Sequence, residues 1–264
     1  MIQAETVEAE FMYAYESGVS GSPLDITTAR IGGGVALAMR NDPAGGYWNK
    51  ALGFGVSEPV TREVVGAVVE HFRAYGNGRA VIQIAPSLLP PDWDDIQAAY
   101  GITRGTSWVK LGAPVDTIEA APTDLRIAPV TPRDAREWAA VVLETFGMPA
   151  GGLTEMLVAS VEHPSFHPFA AWDGDRIVAA ANLFVHGRMA SLNTGATVPS
   201  YRGRGAQSAL IAARTEVARK AGCEWIGAET GAPAEGARNP SLENLRRLGL
   251  RDLYIRDNWI LALQ

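Results

Sequence analysis

The chain repeats itself. Leu52, Gly55 and Pro59 match Leu192, Gly195 and Pro199 at one constant offset of 140 residues. Downstream of each set the elements come in the same order. In the first copy, Thr61 to Tyr75 reads as a helix closed by Gly76, and Val81 to Ala85 as a buried strand. A short helix from Asp94 to Tyr100 then ends at Gly101, and a strand holding Trp108 closes the copy. In the second copy the helix runs from about Ala206 to Ala221 with Gly222 behind it. A strand from Glu224 to Glu229, a helix from Ser241 to Leu248 with Gly249, and a strand holding Trp259 complete it. Glycine just past a helix end, where the backbone turns left-handed, is the expected stop. A repeat of this length predicts two similar α/β units rather than one continuous core.

The boundary falls between Gly112 and Thr123, a stretch with Pro114, Pro122 and several alanines. This gives domains at 1–116 and 123–264. The second begins with a strand, Leu125 to Val130. Thr131 is then the expected N-cap and Pro132 the first residue of a helix with Trp138, Val141, Val142 and Phe146 on one face. A shorter helix spans about Leu153 to Val161. Phe169 to Trp172, Arg176 to Val185 and Met189 to Val198 read as an antiparallel meander, with turns at Asp173-Gly174-Asp175 and His186-Gly187-Arg188. In the first domain, Arg30 to Leu37 holds three glycines flanked by strand-like residues and reads as strand and turn. Trp48, Phe54, Trp93 and Trp108 read as core or interface residues.

Composition removes several classes. The 47% hydrophobic and 20% charged content is that of a folded globular chain. The net charge of -6 argues against general nucleic-acid binding. One cysteine, Cys223, allows no intrachain disulfide, which fits a reducing compartment. Met1 to Glu10 carries three acidic residues and no basic one, unlike a secretory signal. Apolar runs such as Ile177 to Val185, broken by Asn182, are about half the ~20 residues of a membrane helix. A cytoplasmic protein without membrane or nucleic-acid partners is expected, as a monomer or homodimer.

The two copies differ in one informative place. Pro59 to Gly76 is 17 positions and Pro199 to Gly222 is 23. The extra residues include Tyr201-Arg202-Gly203-Arg204-Gly205-Ala206-Gln207-Ser208, a basic, glycine-rich turn that opens a helix. Glycines permit tight turning and close approach of a ligand. Successive amides point into one concavity, and the helix adds unsatisfied N–H groups and its positive dipole end. Such a turn suits a diphosphate. Arg202 and Arg204 either add charge or stay solvated. The pattern is not a P-loop, because no Lys-Ser or Lys-Thr comes after the glycines. It is a poor dinucleotide turn, since Ser208 replaces the last glycine and an antiparallel meander precedes it.

The stretch Val198-Pro199-Ser200-Tyr201-Arg202-Gly203-Arg204-Gly205-Ala206 resembles the acetyl-CoA-binding motif of the GNAT superfamily of N-acetyltransferases. The element order from Leu125 to Leu263 resembles the whole GNAT fold. Ser241 to Leu250 is similar to the family's second conserved block. The resemblance implies a mixed α/β (α+β) chain of two GNAT-like domains, each a mostly antiparallel sheet flanked by helices. The first would be a degenerate copy lacking the CoA phosphate loop. It also implies acetyl-CoA as co-substrate, no metal, and a small-molecule or peptide amine as acceptor. The alternative is a non-catalytic acyl-CoA-binding or regulatory module; a different acyl group is a third possibility.

The implied cofactor-binding residues are Thr197, Val198, Arg202, Gly203, Arg204, Gly205, Ala206, Gln207, Ser208 and Asn244. The strands around Asn193 to Val198 and Trp225 to Thr230 would splay to admit the pantetheine arm, with free main-chain groups near Thr197 and Val198. An amide near Asn193 or Thr194 would stabilise the oxyanion. Glu229 is the candidate base, or else only an ion-paired strand end. Tyr254 is the candidate acid, or else only packing. Asn244 is a ligand of the arm or phosphates, or a surface residue. Two positions depart from the family pattern: Gln207 replaces Gly or Ala, and Leu245 replaces the Tyr that often protonates the leaving thiolate. His163 and His167 border a loop without trusted metal-ligand spacing. His186 is expected in a turn, and Cys223 buried.

Overall fold

The computed structural model describes residues 2–19, 21–119 and 121–263. It divides into two compact units: residues 1–109 with 254–264, and residues 110–253.

In chain order the first unit holds α1 (Ile2–Ser17), β1 (Ile26–Ile31), β2 (Gly34–Met39), β3 (Lys50–Leu52), α2 (Arg62–Tyr75), β4 (Arg79–Gln83), α3 (Trp93–Tyr100) and the start of β5 (Thr103–Pro114). The second holds the end of β5, then β6 (Arg126–Pro129), α4 (Ala135–Phe146), α5 (Gly152–Glu162), β7 (Phe169–Asp173), β8 (Arg176–His186) and β9 (Met189–Thr197). It continues with α6 (Ala206–Lys220), β10 (Trp225–Gly231), α7 (Pro240–Arg247) and the first residues of β11 (Arg251–Ala262), whose remainder belongs to the first unit.

The two units share a plan. The first orders its strands β1-β2-β3-β4-β11-β5 and the second β5-β10-β9-β8-β7-β6. β3 and β4 pair in parallel, as do β9 and β10. The neighbouring pairs β1/β2, β2/β3, β7/β8 and β8/β9 are antiparallel. The mixed, mostly antiparallel α/β architecture is therefore present. In the first unit α2, α3 and the sheet bury Val65, Phe72, Ile82, Trp93 and Ile96. In the second, α6 packs Ala206 and Leu210 against Phe169, Val178 and Ala181.

Local chemistry explains the element ends. Thr61 caps α2, its hydroxyl accepting from Val64 N at 3.3 Å. Gly32 and Gly33 both have positive φ, the two-residue turn that matches strand twist between β1 and β2. Thr131 does not cap α4. Asp134 precedes the helix and turns its carboxylate back to the Thr131 hydroxyl at 2.6 Å, so Pro132 lies in a turn before the helix. Trp138 is fully buried with Nε1 on Phe169 O at 3.1 Å, whereas Phe146, at the helix end, is 51% exposed.

Helix α1 has no clear signal in the sequence. It carries Glu5 and Glu8 onto Arg256 of β11, each pairing at 2.7 Å with a guanidinium that is itself fully buried. Removing Arg256 would leave two buried carboxylates uncompensated, so α1 is held to its unit by electrostatics as well as packing. Among the described residues no helix is long and apolar enough to cross a membrane.

Glu16, also on α1, is buried and neither carboxyl oxygen has a hydrogen-bond partner among the described residues. Burial raises its pKa well above the ordinary 4.5, with Lys50 opposing. The unfolded carboxyl ionises near 4.5 and the folded one only at higher pH. Stability tied to this group is therefore complete below pH 4.5 and declines as pH rises. Glu16→Gln is expected to raise the melting temperature, by more at pH 8 than at pH 5, in thermal scans at the two values.

Candidate functional site

The second unit has a ladder that stops partway. The parallel register of β9 and β10 runs from Met189↔Trp225 to Leu192↔Ala228 and no further. Beyond it, Asn193–Thr197 and Glu229–Gly231 continue as strands without pairing to each other. The divergence has a local cause. On the other side of β9 the register with β8 shifts between Ala180 and Asn182. Asn193 faces Asn182 and Ala196 faces Ala180, so β9 carries one extra residue there, a β-bulge. Thr194 in the bulge has φ 55°, unusual for a residue with a side chain.

The edge of β9 past the bulge is only partly open. Val198 N donates to Val178 O at 3.0 Å, and Val198 O accepts from Tyr201 N at 2.9 Å. Neither main-chain group of Val198 is therefore free for an arm, contrary to expectation. Thr197 sits opposite Ala179 one residue before that bond. In an antiparallel ladder this places its own N–H and C=O on the far side, toward the opening.

At the end of this strand lies the glycine turn. Gly203 (φ 81°) and Gly205 (φ 79°) are both left-handed. Gly205 occupies the N-cap position of α6, where no side chain accepts from the first turn. The first intrahelical bond is Ala209 N to Gly205 O, so the amides of Ala206, Gln207 and Ser208 have no acceptor among the described residues. The first unit offers a contrast, since α2 is capped by its own Thr61.

The two arginines have different fates. Arg204 is tied to Asp124, and to Asp173 at 3.0 Å. Its guanidinium lies over the Tyr201 ring. Bonding to Asp124 and then to Asp173 raises its pKa further. Its charge is committed to holding the turn. Arg202 is exposed and has no ion pair among the described residues. The turn is backed by Thr123, whose hydroxyl donates to Arg204 O at 2.8 Å.

Gln207 explains its own departure from Gly or Ala. Its Nε2 donates to Ser241 Oγ at 2.8 Å and its Oε1 accepts from Asn244 Nδ2 at 2.6 Å. The side chain thus clasps α7, and Asn244 faces α6, also accepting from Arg247. Asn239 caps α7 and reaches Gly231 O of β10 at 2.7 Å. Leu245 is buried, with no hydroxyl at that place.

Glu229 stands just past the last β9–β10 pair, and its Oε2 lies 3.1 Å from Lys110 Nζ. Both side chains are largely buried, at 19% and 4% exposure. Asn193 directs its side chain locally, donating to Ser191 O at 3.1 Å and accepting from the Thr194 hydroxyl at 2.9 Å. Tyr254 belongs to the other unit. It donates to Glu5 Oε1 at 2.6 Å, and burial, reinforced by Glu5, pushes its pKa well above 10.

Of the remaining candidates, His163 accepts from Ser165 N at 3.2 Å. His167 pairs its main chain with Leu183, and burial lowers its pKa below the ordinary 6.5. His186 is exposed at the end of β8. Cys223 is buried and its thiol pKa is raised by that burial. No group of three or more His, Cys, Asp or Glu among the described residues is placed to hold a metal ion.

Residues 135–239 match the family model of the acetyltransferase (GNAT) family. The chain carries a GNAT domain. That family is one of acyl-CoA-dependent acetyltransferases, and the matched residues run from the start of α4 through the glycine turn and β10 to the N-cap residue of α7. Solved structures agree over nearly the full length. A GCN5-related N-acetyltransferase from Kribbella flavida superposes with a TM-score of 0.65 at 15% identity, covering 98% of this chain and 94% of its own. A tandem GNAT protein from the clavulanic acid biosynthesis pathway gives 0.62 at 13% identity, covering 99% and 93%. A GNAT-family acetyltransferase structure from Novosphingobium aromaticivorans gives 0.56 at 17% identity, covering 94% and 96%. At these identities the likeness is one of fold. A search of the curated proteins found no match.

The geometry of the turn sets a stability test. A Cβ on Gly205 would meet Pro122 O at 2.6 Å, whereas one on Gly203 meets nothing within 4 Å. Gly203→Ala carries only the left-handed backbone cost of about 1–2 kcal/mol. Gly205→Ala is expected to cost clearly more, as read from urea unfolding of both variants.

Proposed function

We propose that the chain is an acetyl-CoA-dependent N-acetyltransferase that moves an acetyl group to a primary amine of a small molecule or peptide. One observation carries the proposal: three uncapped amides at the start of α6, framed by two left-handed glycines, lie at the end of a strand that diverges from its neighbour. The amides and the helix dipole suit a diphosphate. The open edge of β9 suits an amide-bearing arm bound like an added strand.

In this reading Gly203, Arg204, Gly205, Ala206, Gln207 and Ser208 present main-chain donors to the phosphates, and Arg202 adds charge. Thr197 contacts the arm through its main chain and Val198 through its side chain. Asn244 borders the phosphates across Gln207. The domains 1–116 and 123–264 remain the proposed copies in sequence, although the compact units divide differently, with residues 254–264 in the first unit. The first is a degenerate copy whose self-capped α2 leaves no anion site.

The reaction is direct attack. A neutral amine nitrogen bonds to the thioester carbonyl carbon, and the carbon–sulfur bond breaks. The nitrogen loses a proton to Glu229, directly or through water, and the thiolate takes one from solvent. An alkylamine has a pKa of about 10, so it must be deprotonated first at neutral pH. Lys110 supplies the counter-charge that keeps a carboxylate at the strand end. The oxyanion is met by a main-chain amide at the bulge, near Asn193 or Thr194. Tyr254, committed to Glu5, stands outside this scheme.

The first test is thermal unfolding with acetyl-CoA, CoA and NAD. Saturation at ~100 times the dissociation constant stabilises by about 2.7 kcal/mol. A shift with the CoA species alone, lost in Gly205→Glu and weakened in Arg202→Ala, supports the reading; no shift with either CoA species defeats it. The buried Leu245 favours a second reading, a module that binds acyl-CoA without turnover. The two part on Glu229→Gln. The enzyme reading expects kcat with an amine acceptor to fall by about 100-fold with acetyl-CoA affinity unchanged. The module reading expects no turnover in the parent protein.

A further inference from the structure

Arg214 is a buried charge that the reaction scheme leaves unused. It lies on the buried face of α6 with Leu210, Ile211 and Ala218, and it is 3% exposed. An apolar residue there would pack without penalty. A guanidinium taken from water costs several kcal/mol unless something compensates it. Among the described residues no carboxylate does so. Burial alone lowers its pKa to about 9, which leaves it charged at neutral pH.

Its partners are three main-chain carbonyls. Nε donates to Leu210 O, one turn back, at 3.0 Å. Nη1 donates to Asn182 O of β8 and to Asn193 O of β9, the latter at 3.2 Å. Asn182 and Asn193 are the facing residues at which the register shifts, and they are also one step past the last pair of β9 with β10. One nitrogen thus bridges the two strands where the bulge begins.

We infer that Arg214 is a positioning residue. It clamps the carbonyls of Asn182 and Asn193, holds the β9 bulge in its single register, and so aims the amide near Asn193 or Thr194 at the reacting carbonyl. The clamp explains why a charge is buried there. A fan of donors in one plane can hold two carbonyls on different strands, which no apolar side chain and no ordinary ladder bond does. The aiming role rests on the acetyl-CoA reading above; the clamp itself does not.

The test uses the full chain with Arg214→Met, which keeps bulk and removes the donors, and Arg214→Lys, which keeps charge and one donor group. Amide hydrogen exchange across residues 189–198 is read without ligand. Arg214→Met is expected to speed exchange at Asn193–Thr197 by about ten-fold or more, the scale of a bond to a charged donor, with Arg214→Lys between. Exchange in α4 stays unchanged. With acetyl-CoA and an amine, kcat is expected to fall about ten-fold in Arg214→Met, and part of it to return in Arg214→Lys. Acetyl-CoA affinity changes by less than about three-fold, because the phosphate turn is untouched.

Unchanged exchange at Asn193–Thr197 overturns the proposal. So does a loss of acetyl-CoA affinity as large as the loss of kcat, or failure of both variants to fold, which would make Arg214 a general core residue. If the parent protein does not bind acetyl-CoA, the functional reading falls. The exchange result still decides the clamp.

Discussion

A parallel pair of strands that stops pairing partway along must leave main-chain groups facing open space, and the character of the site depends on that. β9 and β10 run together through Leu192 and Ala228 and then part. An extra residue in β9 re-aims the strand there, as β-bulges do when they end a pairing. The result is a cleft whose wall is backbone. Such a wall recognises an extended amide chain by its periodicity, without needing particular side chains. In the proposed function the glycine turn at the far end of β9 adds a second kind of backbone recognition, for an anion.

The side chains around this backbone mostly hold it in place. Arg204 is tethered by Asp124 and Asp173, Thr123 bonds the carbonyl of Arg204, and Gln207 ties α6 to Ser241 and Asn244 of α7. Arg214 grips the bulge from beneath. Charge is used here as structure, at points where the main chain departs from regular pairing. Arg202 and the Glu229–Lys110 pair keep charge that is not committed to the turn.

The two units show the same plan with different endings. In the first, Thr61 caps one amide of the first turn of α2, Val64 N, and β3 is only three residues long. Gly55 has φ 80°, while its counterpart at the 140-residue offset, Gly195, does not adopt positive φ; Thr194 does instead. The repeat in sequence is a repeat of architecture. The diverging strands and the uncapped glycine turn occur in the second copy, where extra residues open the turn.

By itself the sequence determined what is local. Periodicity and glycine stops placed α2, α3, α6 and α7 to within one or two residues. The glycines of Arg30 to Leu37 marked a strand and turn, and the spacing of Gly203 and Gly205 before a helix marked that turn as the candidate anion site. These signals are readable because each depends on neighbours a few residues away. The tertiary structure decided what depends on partners far along the chain. Helix α1 has a weak apolar stripe and is held by Arg256, some 250 residues later. Tyr254 is claimed by Glu5, and Arg204 by Asp124 and Asp173. Thr131 loses its capping role to Asp134. Arg214 shares α6 with Glu216, Arg219 and Lys220, so nothing in the sequence sets it apart. Only the fold shows that it faces two strands at the point where their register slips, because burial, register and the direction of a carbonyl are set by packing and leave no trace in local spacing.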